Sequence, residues 1–214
     1  MNMSTEQEHL ESIREMRNLM ERSTRYLSVS GLAGVIVGFI ALGGVACLLT
    51  IMDIPIGRPV SFNELAAAGG PQASLINERI LTMAAGVFSL SLIVEIGLAY
   101  RNARKLRLPL WDATARRMIT ALGIPILGGG VYCLSLIQAG QPDGLAPASL
   151  IFYGLGLVHA GRHAVPDVGR LGLAVFVSGL TASFFPSLGV YFWAFGFGIL
   201  HIIYGITIHF KHQR

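Results

Sequence analysis

Charge is scarce in this chain: Asp, Glu, Lys and Arg make up 13% of its 214 residues, against about a quarter in soluble globular domains. With 53% hydrophobic residues and a mean hydropathy of +0.61, that scarcity excludes an ordinary soluble domain and makes lipid the solvent for most of the chain. Cysteine is almost as rare. Cys47 and Cys133 both sit inside apolar runs, so there is no disulfide framework and no zinc-type spacing, and both are expected to be small buried packing residues. Several catalytic signatures are missing as well: a Gly-rich nucleotide loop with its Lys, a Ser-containing nucleophile elbow, paired intramembrane aspartates, and a zinc-protease pair of histidines with an internal Glu. Those absences argue against an enzyme, and against a membrane hydrolase in particular. No cleavable signal peptide is expected, because the first 25 residues carry Glu6, Glu8, Glu11, Glu15 and Glu21 in place of a short basic segment and an apolar core.

The basic residues are few but ordered. Arg14, Arg17, Arg22 and Arg25 precede the first apolar run, and Arg101, Arg104, Lys105, Arg107, Arg116 and Arg117 lie between the second and third. Arg162 and Arg170 lie between the fourth and fifth, and Lys211 and Arg214 follow the sixth, which leaves only Arg58 and Arg79 for the opposite face. Short loops rich in Lys and Arg stay cytoplasmic during insertion. The pattern predicts an all-α polytopic bundle of six transmembrane helices with both termini cytoplasmic. A pI near 9.4 in a soluble protein would suggest nucleic acid; here the basic residues flank apolar spans, where anionic lipid and topology account for them, and no nucleic-acid partner is expected.

Residues 1–25 read as a cytoplasmic amphipathic helix, with Leu10, Ile13, Met16 (or Arg17), Leu19 and Met20 at three- and four-residue steps and acids before bases. The transmembrane domain covers 26–210, and 211–214 form a cytoplasmic tail. Spans are expected at about 26–51, 77–100, 118–138, 148–161, 171–185 and 190–210, the fourth and fifth being short for a bilayer. Gly31, Gly34 and Gly38 place small residues on one face of the first span, a close-packing stripe for another span or for a second copy in a homo-oligomer. In the outer loop, Ser61 and Glu64 form a capping-box pattern ahead of a short interfacial helix. Pro125 followed by Gly128, Gly129 and Gly130 weakens the third span near mid-bilayer, a candidate hinge. Tyr191, Phe192 and Trp193 are expected as an outer aromatic belt, and Trp111 at the inner headgroups.

Ionisable groups inside the spans are exceptional, since each costs at least about 2.5 kcal/mol in hydrocarbon and so faces the bundle interior. Glu95 in span two, His201 in span six and His159 at the end of span four fall at overlapping depths in the cytoplasmic half. Glu95 with His201 is the leading candidate pair, with Tyr204, one turn from His201, as a hydrogen-bond partner. His159 and His163 are four residues apart, and with His209 and His212 they make a weak candidate zinc or b-type haem site, although no acid stands between the pair to act as a base. Ser89, Ser91, Thr120, Ser135 and Gln138 are candidates to line a cavity.

The segment from Phe192 through Trp193, Gly196, Gly198, His201 and Tyr204 to Ile206, and the stretch from Ile13-Arg14-Glu15-Met16 to Met20-Glu21-Arg22-Ser23, resemble a family of six-span bacterial membrane proteins associated with Bacteroidota and relatives. The resemblance covers most of the chain and implies the same six-span fold. It implies no activity or cofactor, and through an association with transcriptional regulators it points to a sensing or stress role. The sequence thus leads to a membrane protein that binds or transports a small solute or ion at a titratable Glu/His site. Its rivals are a non-catalytic partner protein that docks a soluble regulator through residues 1–25, and a haem- or quinone-binding protein.

Overall fold

The structure, a computed structural model, describes residues 31–69, 75–107, 113–163 and 166–211, together with Glu11 and Trp111. The helix expected over 1–25 and the residues after Lys211 lie outside that set. The described residues form helices without strands: α1 (Gly31–Ile51), α2 (Phe62–Ala67), α3 (Ile76–Leu106), α4 (Ala113–Gln138), α5 (Leu145–Ala160), α6 (Pro166–Phe184), α7 (Gly189–Trp193) and α8 (Leu200–Lys211). A π-helical turn, Ala194–Ile199, joins α7 to α8. Five of these segments are long and apolar enough to cross a membrane: α1, α3, α4, α6 and the run from Pro186 to Lys211. The remaining long element, α5, has 16 residues and is about 24 Å long at 1.5 Å per residue.

Helix boundaries depart from expectation in one direction. The second helix runs on to Leu106, six residues past its expected end, and the third, fourth and fifth start three to five residues early, at Ala113, Leu145 and Pro166. Hydropathy marks where lipid ends, whereas a helix continues into the headgroup region as long as its backbone bonds are satisfied.

Consecutive long helices are antiparallel, as the facing residues show. Gly31 meets Gly205 and His209, and Gly38 meets Gly198 and Ile202; Gly44 meets Val87; Gly129 meets Phe152, and Gly156 meets Leu122; Gly161 meets Gly169, and Gly179 meets Ile151. One end of the bundle therefore gathers the end of α1, all of α2, the start of α3, the end of α4, the start of α5 and the end of α6. The other gathers the start of α1, the end of α3, the start of α4, the end of α5, the start of α6 and the end of α8. Every described basic residue from Arg101 to Lys211 lies at this second end. Asp167, at the start of α6, receives Arg170 at 2.6 Å and Lys211 at 2.7 Å, which ties the end of α8 to the start of α6. Sequence reading did not anticipate this clasp.

Two seams of glycine hold the bundle. In the first, Gly31, Gly34 and Gly38 of α1 lie against Gly198, His201 and Gly205 of the last helix; a methyl on Gly38 would stand 2.6 Å from the Gly198 carbonyl oxygen. The stripe expected to meet another span or another copy is thus filled by the chain's own α8. In the second seam, Gly154 and Gly172 bring α5 and α6 into backbone contact, with a Gly154 methyl 2.6 Å from the Phe176 nitrogen. Without a hydrophobic difference between helix and lipid, such close approach and its dispersion energy are what drive helices together.

Several smaller expectations change. Cys47 is exposed and Cys133 partly so, which puts both thiols toward the outside of the bundle instead of its core. The aromatic triplet turns inward: Tyr191 and Trp193 pack on the apolar cluster around Leu49 and Ile76, Phe192 and Trp193 on the one around Leu150 and Val175. The Tyr191 hydroxyl accepts from the Gly57 N–H at 3.0 Å and donates to the Arg58 carbonyl at 2.8 Å, so it clamps the loop between α1 and α2. Helix α4 stays helical through Pro125 and Gly128–Gly130. The last helix carries an irregularity that the sequence reading did not anticipate, the π-turn.

Candidate functional site

A π-turn carries one extra residue relative to the α-helical ladder, and such turns often mark functional positions. Here Gly196 and Gly198 make it possible. Gly196 packs directly on the Leu150 side chain of α5, and Gly198 on Leu42 of α1 with a would-be methyl 2.5 Å from Leu42 Cδ2. The last helix is thereby pressed between α1 and α5, and the extra residue sets the rotational register of α8. His201, in the first turn of α8, is only 4% exposed.

His201 has both ring nitrogens engaged. Nδ1 lies 3.0 Å from the Gly196 carbonyl oxygen, and Nε2 lies 3.0 Å from the Tyr153 hydroxyl of α5. A carbonyl can only accept, so Nδ1 carries the proton, and in the neutral ring Nε2 accepts from the tyrosine. Tyr153 and Phe197 flank the imidazole with ring centroids at 5.7 and 6.2 Å, and Trp193 stacks behind Phe197 at 4.7 Å. The phenol that His201 reaches is Tyr153, and not Tyr204 on its own helix. Helical spacing exposes neighbours on one helix; it gives no sign of which residue on another helix lies opposite. Close by, Ser178 of α6 is buried with no hydrogen-bond partner for its hydroxyl among the described residues, next to Gly196.

The Tyr153–His201 bond can be weighed directly. Tyr153→Phe is expected to lower stability by about 1 kcal/mol, the scale of hydrogen bonds between helices in lipid, and a double-mutant cycle with His201→Phe should recover most of that as coupling. A coupling energy near zero in reversible unfolding in mixed micelles would show that the pair contributes nothing.

Glu95 is half-buried on α3. It lies eight residues beyond Val87, which faces Gly44, so it sits about 12 Å nearer the basic end at 1.5 Å per residue. That is the level at which Gly34 faces His201 and Gly205. Among the described residues Glu95 makes no hydrogen bond and no ion pair, and α3 packs chiefly on α1. Glu95, Tyr153, His201 and Tyr204 therefore share one level of the bundle, while the only hydrogen bond among them joins Tyr153 to His201.

The other candidates separate. The His159 and His163 rings are 6.1 Å apart between centroids, at the basic end, and His209 is on α8. No group of three His, Cys, Asp or Glu side chains converges among the described residues; His212 lies outside them. Of the polar residues expected along a cavity, Thr120 does line one, together with Ala113, Arg116, Arg117, Ala121, Ile124, His159 and His163. Its hydroxyl, like that of Ser135, is spent on a carbonyl of its own helix.

The opposite end holds a buried carboxylate that sequence reading missed. Asp143, 8% exposed in the short turn before α5, accepts from the Ser61 hydroxyl and from the Phe62 N–H, both at 2.6 Å. The Asp143 N–H in turn donates to Asn63 Oδ1 at 3.2 Å. Ser61 is the N-cap anticipated from the capping-box pattern, and its oxygen accepts from the Glu64 N–H at 3.2 Å. The one visible signal was an acid in an outer turn, which on sequence alone reads as solvated. Comparison of the chain with known protein families, with curated proteins and with solved structures finds no match.

Proposed function

We propose that this chain is a six-span inner-membrane protein with both termini in the cytoplasm, and that it binds or transports a small polar solute or ion at the level of Glu95, Tyr153, His201 and Tyr204. Supporting the topology, the helix ends rich in Arg and Lys gather at one pole of the bundle, and the shorter α5 packs antiparallel between α4 and α6, as a tilted sixth crossing would. The observation that carries the site is the buried Tyr153–His201 pair, at the bundle level where the half-buried Glu95 of α3 lies. The chemistry selects a proton or a small cation. Glu95 supplies the negative charge, and the phenol and imidazole groups can pass or hold a proton by exchanging donor and acceptor roles.

The test is flux in proteoliposomes. With an entrapped pH-sensitive dye and an imposed pH gradient, the wild-type chain should dissipate the gradient, and Glu95→Gln should return it to the rate of protein-free vesicles while keeping the wild-type elution profile. Equal flux in the variant, or none in the wild type with protons, sodium or potassium as the driven ion, overturns the site.

A further inference from the structure

At the basic end, α4 and α5 enclose an open cavity of about 470 Å³ whose wall combines two guanidinium groups, Arg116 and Arg117, and two imidazoles, His159 and His163, with Thr120 and the apolar Ala113, Ala121 and Ile124. No acidic side chain lines it, and among the described residues neither arginine has an ion-pair partner. Two fixed positive charges in one cleft repel a metal cation, so the four-residue spacing of the histidines serves a different ligand here. Arginine offers planar paired donors that match phosphate oxygens, and imidazole N–H groups add further donors. The charge is confined to one end of the cleft. Ile124 borders the other end, and from it the exposed face of α4 continues along Leu127 and Val131, which are 72% and 68% exposed. A free inorganic anion would use only the first part; a phospholipid uses both, with its headgroup among the arginines and an acyl chain along α4. Trp111, 65% exposed and two residues before α4, is of the type that resides at headgroup depth.

We infer that the cleft between α4 and α5 is a binding site for the phosphate group of an anionic phospholipid. The inference depends on the chain being embedded in a membrane and not on the Glu95 site, so the flux assay and the assay below can fail independently. Purified full-length protein in detergent is titrated with dioleoyl phosphatidylglycerol, with dioleoyl phosphatidylcholine and with inorganic phosphate, and adducts are counted by native mass spectrometry. Phosphatidylglycerol is expected to bind in preference to phosphatidylcholine, and Arg116→Gln with Arg117→Gln to weaken it about thirtyfold, the combined effect of two basic residues at a headgroup. Arg101→Gln with Arg104→Gln removes the same charge from the end of α3 and should leave the affinity within about twofold, because that pair is outside the cleft. Both arginines of the cleft are exposed, so the melting temperature in lipid-free detergent should not move. Equal weakening by both double variants would reduce the effect to net charge and overturn the site. Saturable phosphate binding without lipid binding would retain the anion chemistry and overturn the lipid as its source.

Discussion

Gly172→Val is expected to separate α6 from α5 and to lower the melting temperature in detergent by about 10 °C, which corresponds to about 3 kcal/mol for a chain of this size. The reason is what a side chain would meet there. A Cβ on Gly172 would stand 2.6 Å from the Val158 backbone nitrogen and 2.8 Å from the Gly154 carbonyl oxygen. Neither can rotate away as the tip of a side chain would, so the helices themselves must part and lose contact along the whole seam. The control is built into the same protein. Gly130 of α4 and Gly43 of α1 have nothing within 4 Å of a would-be Cβ, and Ala at either should be neutral or slightly stabilising because Ala is the better helix former. If Gly172→Val melts with wild-type protein, or Gly130→Ala melts as early as Gly172→Val, the close approach of α5 and α6 is wrong.

Asp143→Ala should cost about 3 kcal/mol, and the loss should be local to the outer end. Two hydrogen bonds to a carboxylate disappear, each of the stronger charge-assisted kind, and the Phe62 N–H is left buried without an acceptor. Helix α2 is too short to persist without that anchor, since six residues do not repay helix nucleation. Hydrogen exchange should therefore accelerate across residues 61–68 while the amides of α5 and α6 keep their protection. Asp143→Asn retains one acceptor oxygen and should fall between the wild type and Asp143→Ala. Unchanged exchange at 61–68 in Asp143→Ala would mean that the carboxylate does not hold the loop.

What the sequence made legible was set by composition and period. Long apolar runs and the clustering of Arg and Lys foretold the helices and the gathering of basic ends, and Ser61 with Glu64 foretold α2 and its cap. The glycines of the first span foretold a close contact but not its partner, because Gly31, Gly34 and Gly38 would suit a second copy as well as they suit Gly198 and Gly205. Features made by two segments distant in sequence were invisible for the same reason: Tyr153 opposite His201, Asp143 over Phe62, Lys211 on Asp167. The π-turn also escaped, because Gly196 and Gly198 read as ordinary small residues of a transmembrane helix. In a membrane a proline is tolerated where neighbouring groups satisfy the backbone it frees, and α4 accordingly stays helical on both sides of Pro125.

The first glycine seam also orders the assembly of the protein in time. α1 is made before its partner α8, with every other described helix between them, whereas α5 and α6 are neighbours in the chain and can zip as soon as both are inserted. Until α8 is inserted, α1 must remain in the bilayer with its narrow glycine flank bare, and only the arrival of α8 closes the helices around His201. A nascent chain stalled or truncated before residue 196 would therefore hold a finished rear hairpin and an unfinished front, with the imidazole and its π-turn not yet made.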